Sequence, residues 1–172
     1  LVMNLVIENR GQDVARFTGG LHTYLAVADP EAWIEGLEGC HAWDGASTTS
    51  PHFSEHIGGR VRALDTQDLV IRGAFAPIVL HDAVLGSVHL TAEGFSNRVV
   101  WNPGPGHALP DVAPGDEARF VCIEPTAVAA AGRTSDRPAG KGSGTRTTLG
   151  RTPVLNQMVD NHNGTVHIQP HG

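Results

Sequence analysis

Two cysteines in 172 residues, Cys40 and Cys122, are too few and too far apart to form a disulfide framework. A disulfide-stapled secreted scaffold is therefore excluded, and a reduced, cytoplasmic setting is the expectation. No run of Lys and Arg occurs, so the electrostatic footprint of a nucleic-acid binder is missing. No apolar run reaches the ~18 residues of a membrane-spanning helix, and no membrane partner is expected. The opening segment Leu1-Val-Met-Asn-Leu-Val-Ile has no basic stretch or small-residue cleavage site, so no signal peptide is expected. Charged residues are sparse at 17 %, against 40 % hydrophobic, with a formal net charge of -6. That balance suits a folded globular chain, with mild acidity serving solubility rather than marking a partner.

No segment of useful length repeats its apolar residues at helical period. Short strand-like runs separated by turn residues fill the chain instead. Residues 1–9 read as a strand. Val14 to Val27 reads as a β-rich stretch broken at Gly19-Gly20. Asp29-Pro30-Glu31 opens like one helical turn, with Asp29 as its cap. Residues 41–56 are polar and rich in Ser, Thr and His, as an exposed loop would be. Further strands are expected at Val61–Ile71, Ala76–Leu80, Ser87–Thr91, Arg98–Trp101 and Ala118–Ile123. The regular spacing predicts an all-β fold, an antiparallel sandwich or barrel. After Pro125 large apolar groups thin out, and residues 150–172 read as a weakly ordered tail behind a body of residues 1–149.

Two residues that can move protons stand inside apolar runs. His22 lies in Leu21-His-Thr-Tyr-Leu25, and Glu124 follows Phe120-Val-Cys-Ile123. A histidine on a strand is ordinarily packed and hydrogen-bonded, with no chemistry to do. A carboxylate at the end of a buried strand is harder to explain, because burying it unpaired is costly and raises its pKa toward that of a useful base. If the two meet in one cleft they form a general acid and base. His52-x-x-x-His56 has metal-ligand spacing but lies in a Ser/Thr/Pro-rich segment without an obvious third ligand, so no metal is expected. Gly140-Lys141-Gly142-Ser143 lacks the leading glycine and strand of a phosphate-binding loop.

The ordered combination is more specific than its parts. Phe17-Thr-x-x-Leu-His-Thr-Tyr-Leu-x-Val-x-Asp29, Ile34-x-Gly36-Leu37, Val100-Trp-Asn-Pro103 and Phe120-Val-Cys-Ile-Glu-Pro125 resemble the glucose-6-phosphate 1-epimerase family. These are hexose-6-phosphate mutarotases of the aldose 1-epimerase superfamily, and the resemblance covers residues 1–125. It implies a galactose mutarotase-like antiparallel β-sandwich whose amino-terminal half is missing here. It implies His22 as general acid and Glu124 as general base in α/β anomer exchange of a small-molecule sugar phosphate, with no cofactor. Family members carry an Asp-Arg-x-Tyr segment whose aspartate binds sugar hydroxyls. Here Gly58-Gly-Arg-Val-Arg-Ala-Leu-Asp65 stands in that region, and Asp65 is the candidate for the role. The arginines that hold the phosphate belong to the absent half. Two alternatives stay open: a non-catalytic carbohydrate-binding sandwich, and an inactive truncated remnant. The strand edges of a half sandwich also offer a route to self-association.

Overall fold

The computed structural model describes residues 1–6, 19–45, 55–73, 76–107, 109–110 and 112–127, together with the strand backbone of 144–149, 154–158 and 167–168. Among the described residues fourteen strands run in chain order: β1 Val2–Val6, β2 Gly19–Ala26, β3 Trp33–Glu35, β4 His41–Asp44, β5 Glu55–His56, β6 Val61–Arg62, β7 Gln67–Arg72, β8 Ile78–His81, β9 Val88–Glu93, β10 Asn97–Asn102, β11 Phe120–Ala127, β12 Gly144–Leu149, β13 Val154–Met158 and β14 His167–Ile168. They form two seven-stranded sheets, ordered β14-β1-β12-β9-β8-β3-β6 and β13-β2-β11-β10-β7-β4-β5. All the pairings are antiparallel. The all-β sandwich expected from the sequence is the observed fold.

The chain crosses repeatedly between the sheets, so both contribute inward side chains to the main core cluster, beside a smaller one of Leu5, Leu21, Phe95 and Ala127. Leu25, Ala42, Ile71, Val100, Val121 and Ile123 from the second sheet pack with Ile34, Val61, Ile78, Leu80, Val88 and Leu90 from the first. In β2 the alternation is clean: Leu21, Thr23 and Leu25 are buried, while His22 and Tyr24 stand on the other face. Period-two alternation thus turns the core outward-in and leaves the polar and aromatic residues of β2 on the outer face of the second sheet.

Several local expectations change. Val61–Ile71 is two strands in different sheets, because the turn at Ala63–Asp65 carries the chain from β6 across to β7. A continuous run of strand-forming residues does not show where the chain changes layer. The segment expected as an exposed loop contains β4 and the short β5, paired to each other, with Ala42 in the core. Its small Ala is a core residue that a polar composition conceals. Gly19-Gly20 opens β2 instead of breaking it, and residues 14–18 lie outside the described residues. Glu124 does not end its strand, since β11 continues through Pro125 to Ala127. The pairing of β11 with β2 skips from Cys122 to Thr126, which is where a residue without an amide hydrogen is tolerated. The Asp29 turn is as expected, with its carboxylate accepting the Glu31 amide at 2.9 Å.

Gly36, in the Ile34-x-Gly36-Leu37 segment, has φ +92°, and a Cβ there would lie 2.5 Å from the Pro77 carbonyl oxygen. Gly36→Ala therefore adds left-handed strain to a backbone overlap. It is expected to cost about 2 kcal/mol or more. The fall in urea midpoint measures it.

Candidate active site

β2, β11, β10 and β7 lie side by side in the second sheet. Cys122 is opposite Tyr24, and Thr126 is opposite Gly20, so the register carries Glu124 directly across from His22. Trp101 is opposite both Cys122 and Asp68. Opposed residues share a face, so Tyr24, Cys122, Trp101 and Asp68 form one row across four strands. His22 and Glu124 lie in the next row, one pleat along, with Val99 and Val70. Both rows are on the outer face, turned away from the core.

His22 Nε2 is 3.3 Å from Glu124 Oε1, with side-chain exposures of 21 % and 12 %. The imidazole is held in place by aromatic neighbours. Tyr24 stacks on it with centroids 4.8 Å apart and planes 14° apart, and Trp101 meets it edge-on at 5.7 Å. Phe120 packs against both Tyr24 and Trp101 and completes an aromatic floor. Burial, followed by the negative charge of Asp68, pushes the Glu124 carboxyl up to about 8. Asp68 is itself raised, by burial and then by Asp44. Cys122, in the adjoining row of the same face, is fully buried, and burial drives its thiol far above the usual range. Both cysteines are free thiols.

The Asn of Val100-Trp-Asn102-Pro103 supports this arrangement from behind. Its buried amide donates to the Phe120 and Glu117 carbonyls at 2.7 and 2.9 Å and accepts from the Gly104 amide at 2.8 Å. It thereby closes the loop between β10 and β11 at both ends and fixes where Trp101 and β11 begin.

His22 and Glu124 are thus brought together. Asp65 is not part of this group: it lies in the exposed turn before β7, 63 % exposed, with Arg62 Nε 3.5 Å away. The carboxylate that faces the site is Asp68, three residues on. Sequence reading missed it because Asp-Leu-Val-Ile looks like the start of an ordinary strand. Its signal is the alternation that gives Asp68 the same face as Val70. His52 lies outside the described residues, and His56 sits on edge strand β5 with its ring 4.0 Å from that of His41.

A second histidine–carboxylate pair exists on the first sheet. His81 Nε2 is 2.6 Å from Glu35 Oε2, and its Nδ1 is 3.2 Å from Ser87 Oγ. Serine, histidine and glutamate in line resemble a hydrolase relay. The adjoining turn amides of Val84, Leu85 and Gly86 are all committed to Asp82, leaving none of them to hold an oxyanion. This exposed network, with Trp33 stacked on His81 and Arg60 over Trp33, reads as a surface tie.

No family model matches the chain, and no curated protein matches it. Solved structures do. A candidate mutarotase, YeaD from Salmonella typhimurium, aligns at 25 % identity and TM-score 0.62, covering 85 % of this chain and 48 % of that one. The protein HI1317 aligns at 13 % identity and TM-score 0.66, covering 90 % and 51 %. A candidate aldose 1-epimerase from Escherichia coli K12 aligns at 14 % identity and TM-score 0.54, covering 91 % and 55 %. The architecture is therefore that of the mutarotase-like β-sandwiches. The chain spans about half the length of each of these structures. Among the described residues no helix is long and apolar enough to cross a membrane.

Proposed function

We propose that this chain carries the proton-transfer centre of a sugar 1-epimerase that interconverts α and β anomers, with hexose 6-phosphates as its substrates. One observation carries the reading: His22 Nε2 and Glu124 Oε1 lie 3.3 Å apart on an aromatic-floored sheet face. The anomeric hydroxyl and the ring oxygen of a pyranose are bonded to the same carbon. An acid and a base serving both at once must therefore stand side by side.

Glu124 takes the proton of the C1 hydroxyl while His22, protonated, gives one to the ring oxygen. The bond from C1 to the ring oxygen breaks, leaving an aldehyde and a C5 hydroxyl. The C1–C2 bond rotates. His22 then takes back the C5 hydroxyl proton, Glu124 returns its proton to the aldehyde oxygen, and the ring closes on the other face. Asp68, in the adjoining row, takes the hydroxyl-binding role that the family resemblance suggested for Asp65. The 6-phosphate preference rests on that resemblance, and a cytoplasmic setting rests on the sparse cysteines.

The reaction requires a single proton in the pair, on His22, with Glu124 bare. Moving that proton between the partners leaves the count unchanged, so the reactive form is drawn from the once-protonated pair. That form is lost as pH rises through the Glu124 value of about 8. kcat/KM is expected to fall on the alkaline side there. Asp68→Asn removes one cause of the raised value, so it is expected to move this limb to lower pH. A kcat/KM–pH profile of both proteins checks this, and an unmoved limb would separate Asp68 from the base.

The test of the function is anomer exchange by NMR magnetisation transfer, run in parallel on glucose 6-phosphate and glucose. Exchange above the spontaneous rate, greater for the phosphate, supports the full reading. Acceleration of both sugars alike would remove the phosphate preference. A folded chain that binds sugar without speeding exchange would be a carbohydrate-binding sandwich instead.

A further inference from the structure

The acid–base corner contains a third group that the proton-transfer chemistry does not use. Cys122 is fully buried and lies two residues before Glu124 on the same face of β11. A histidine nitrogen of His22, the Cys122 sulfur and a Glu124 oxygen all lie within 4.8 Å of one another. Two ligands at i and i+2 of one strand, with a third directly across on the neighbour, converge on a point above the sheet. The donor set is one imidazole, one thiol and one carboxylate, the mixed N, S and O set that zinc accepts. Asp68, in the same row as Cys122, adds a further carboxylate to this face.

We propose that His22, Cys122 and Glu124 also form a binding site for a thiophilic divalent cation of the zinc type, and that its occupancy stops proton transfer. The ligand atoms must each move inward by about half an ångström to reach ordinary zinc distances. The partly exposed edges of His22 and Glu124 give the ion its way in. On binding, the S–H bond of Cys122 breaks and a sulfur–metal bond forms. The proton shared by His22 and Glu124 is displaced as both become ligands, and the released protons go to the buffer. An ion so held occupies the lone pairs that the acid and base need. The inhibitory half of the proposal rests on the epimerase reading; the binding half does not.

The full chain, stripped of metal by chelator dialysis, is titrated with Zn2+ against a chromophoric chelator and with Co2+ by absorption. One ion per chain is expected, with a thiolate-to-cobalt charge-transfer band. Cys122→Ser is expected to lose the band and to weaken Zn2+ binding by more than about tenfold. Because Cys122 is buried and its replacement can disturb folding, His22→Gln, at a partly exposed position, provides the second variant and is expected to weaken binding similarly. The double variant His41→Gln/His56→Gln is expected to bind Zn2+ as the parent does. No binding, or binding that follows His41 and His56 instead of Cys122 and His22, overturns the proposal. Anomer exchange falling in step with zinc occupancy supports the inhibitory half, and exchange unchanged at full occupancy overturns it. Zinc bound at this corner of a chain that never speeds exchange upholds the site and sinks the epimerase reading alone.

Discussion

Glu124→Gln is expected to lower the rate of enhanced anomer exchange by about 10²–10⁴-fold, the usual worth of a positioned general base. Glutamine keeps the size of the side chain and a polar contact to His22. It also removes a group whose charged form burial and Asp68 both oppose, so the fold should not suffer from the change. What it cannot do is accept the C1 hydroxyl proton. The alkaline limb assigned to Glu124 disappears with the activity. Magnetisation transfer on wild type and variant at several pH values measures both effects. A folded Glu124→Gln chain that still exchanges at the parent rate would remove Glu124 from the mechanism, and with it the role given to His22.

The largest effect on stability is expected at Asp82. This carboxylate, 5 % exposed, accepts four backbone amides: Ala28 at 2.7 Å, Asp29 at 3.0 Å, Val84 at 2.8 Å and Leu85 at 2.7 Å. It ties the chain leaving β2, in the second sheet, to the turn between β8 and β9 in the first. Asp29 answers from the other side, accepting the Ala83 amide at 3.2 Å. Burial pushes the Asp82 carboxyl up, but the four amides together outweigh it and hold it below the usual range. Asp82→Ala leaves those donors without an acceptor and is expected to cost about 3–5 kcal/mol, a large part of the stability of a domain this size.

A depressed folded-state pKa contributes stability above the unfolded value, and that contribution is lost as pH falls through the folded value. The gap between wild type and Asp82→Ala should therefore be full at neutral pH and narrow below about pH 4, where the unfolded carboxyl begins to take up its proton. Urea unfolding at neutral and acid pH measures the gap. A gap independent of pH would show that the carboxylate charge contributes nothing.

Much of this protein is legible in its sequence. An all-β sandwich or barrel followed from short strand-like runs and the lack of helical period, and the family resemblance pointed to the sandwich. His22 and Glu124 stood out because each is a proton-transfer residue inside an apolar run. Other features were hidden for identifiable reasons. Nothing in His81-Asp82 shows that two of the Asp82 amide partners, Ala28 and Asp29, lie 54 and 53 positions upstream. Asn102 belonged to a recognisable motif, but its role as a tie across the β10–β11 loop depends on carbonyls 15 and 18 residues further along the sequence. His41 and His56 were placed in one exposed loop, though they face each other across two paired strands.

The sequence alone determined what lies on each side of each strand, because side chains alternate with period two whatever the neighbours are. That was enough to put His22 and Tyr24 on one face of β2 and Cys122 and Glu124 on one face of β11. It did not say which strand lies beside which, or in which layer. Strand pairing is made by backbone hydrogen bonds between segments distant in the chain, and those bonds carry no residue-specific mark. Only the tertiary structure decided that β2 lies against β11 in the register that sets His22 opposite Glu124, and that β7 brings Asp68, rather than Asp65, to the same face.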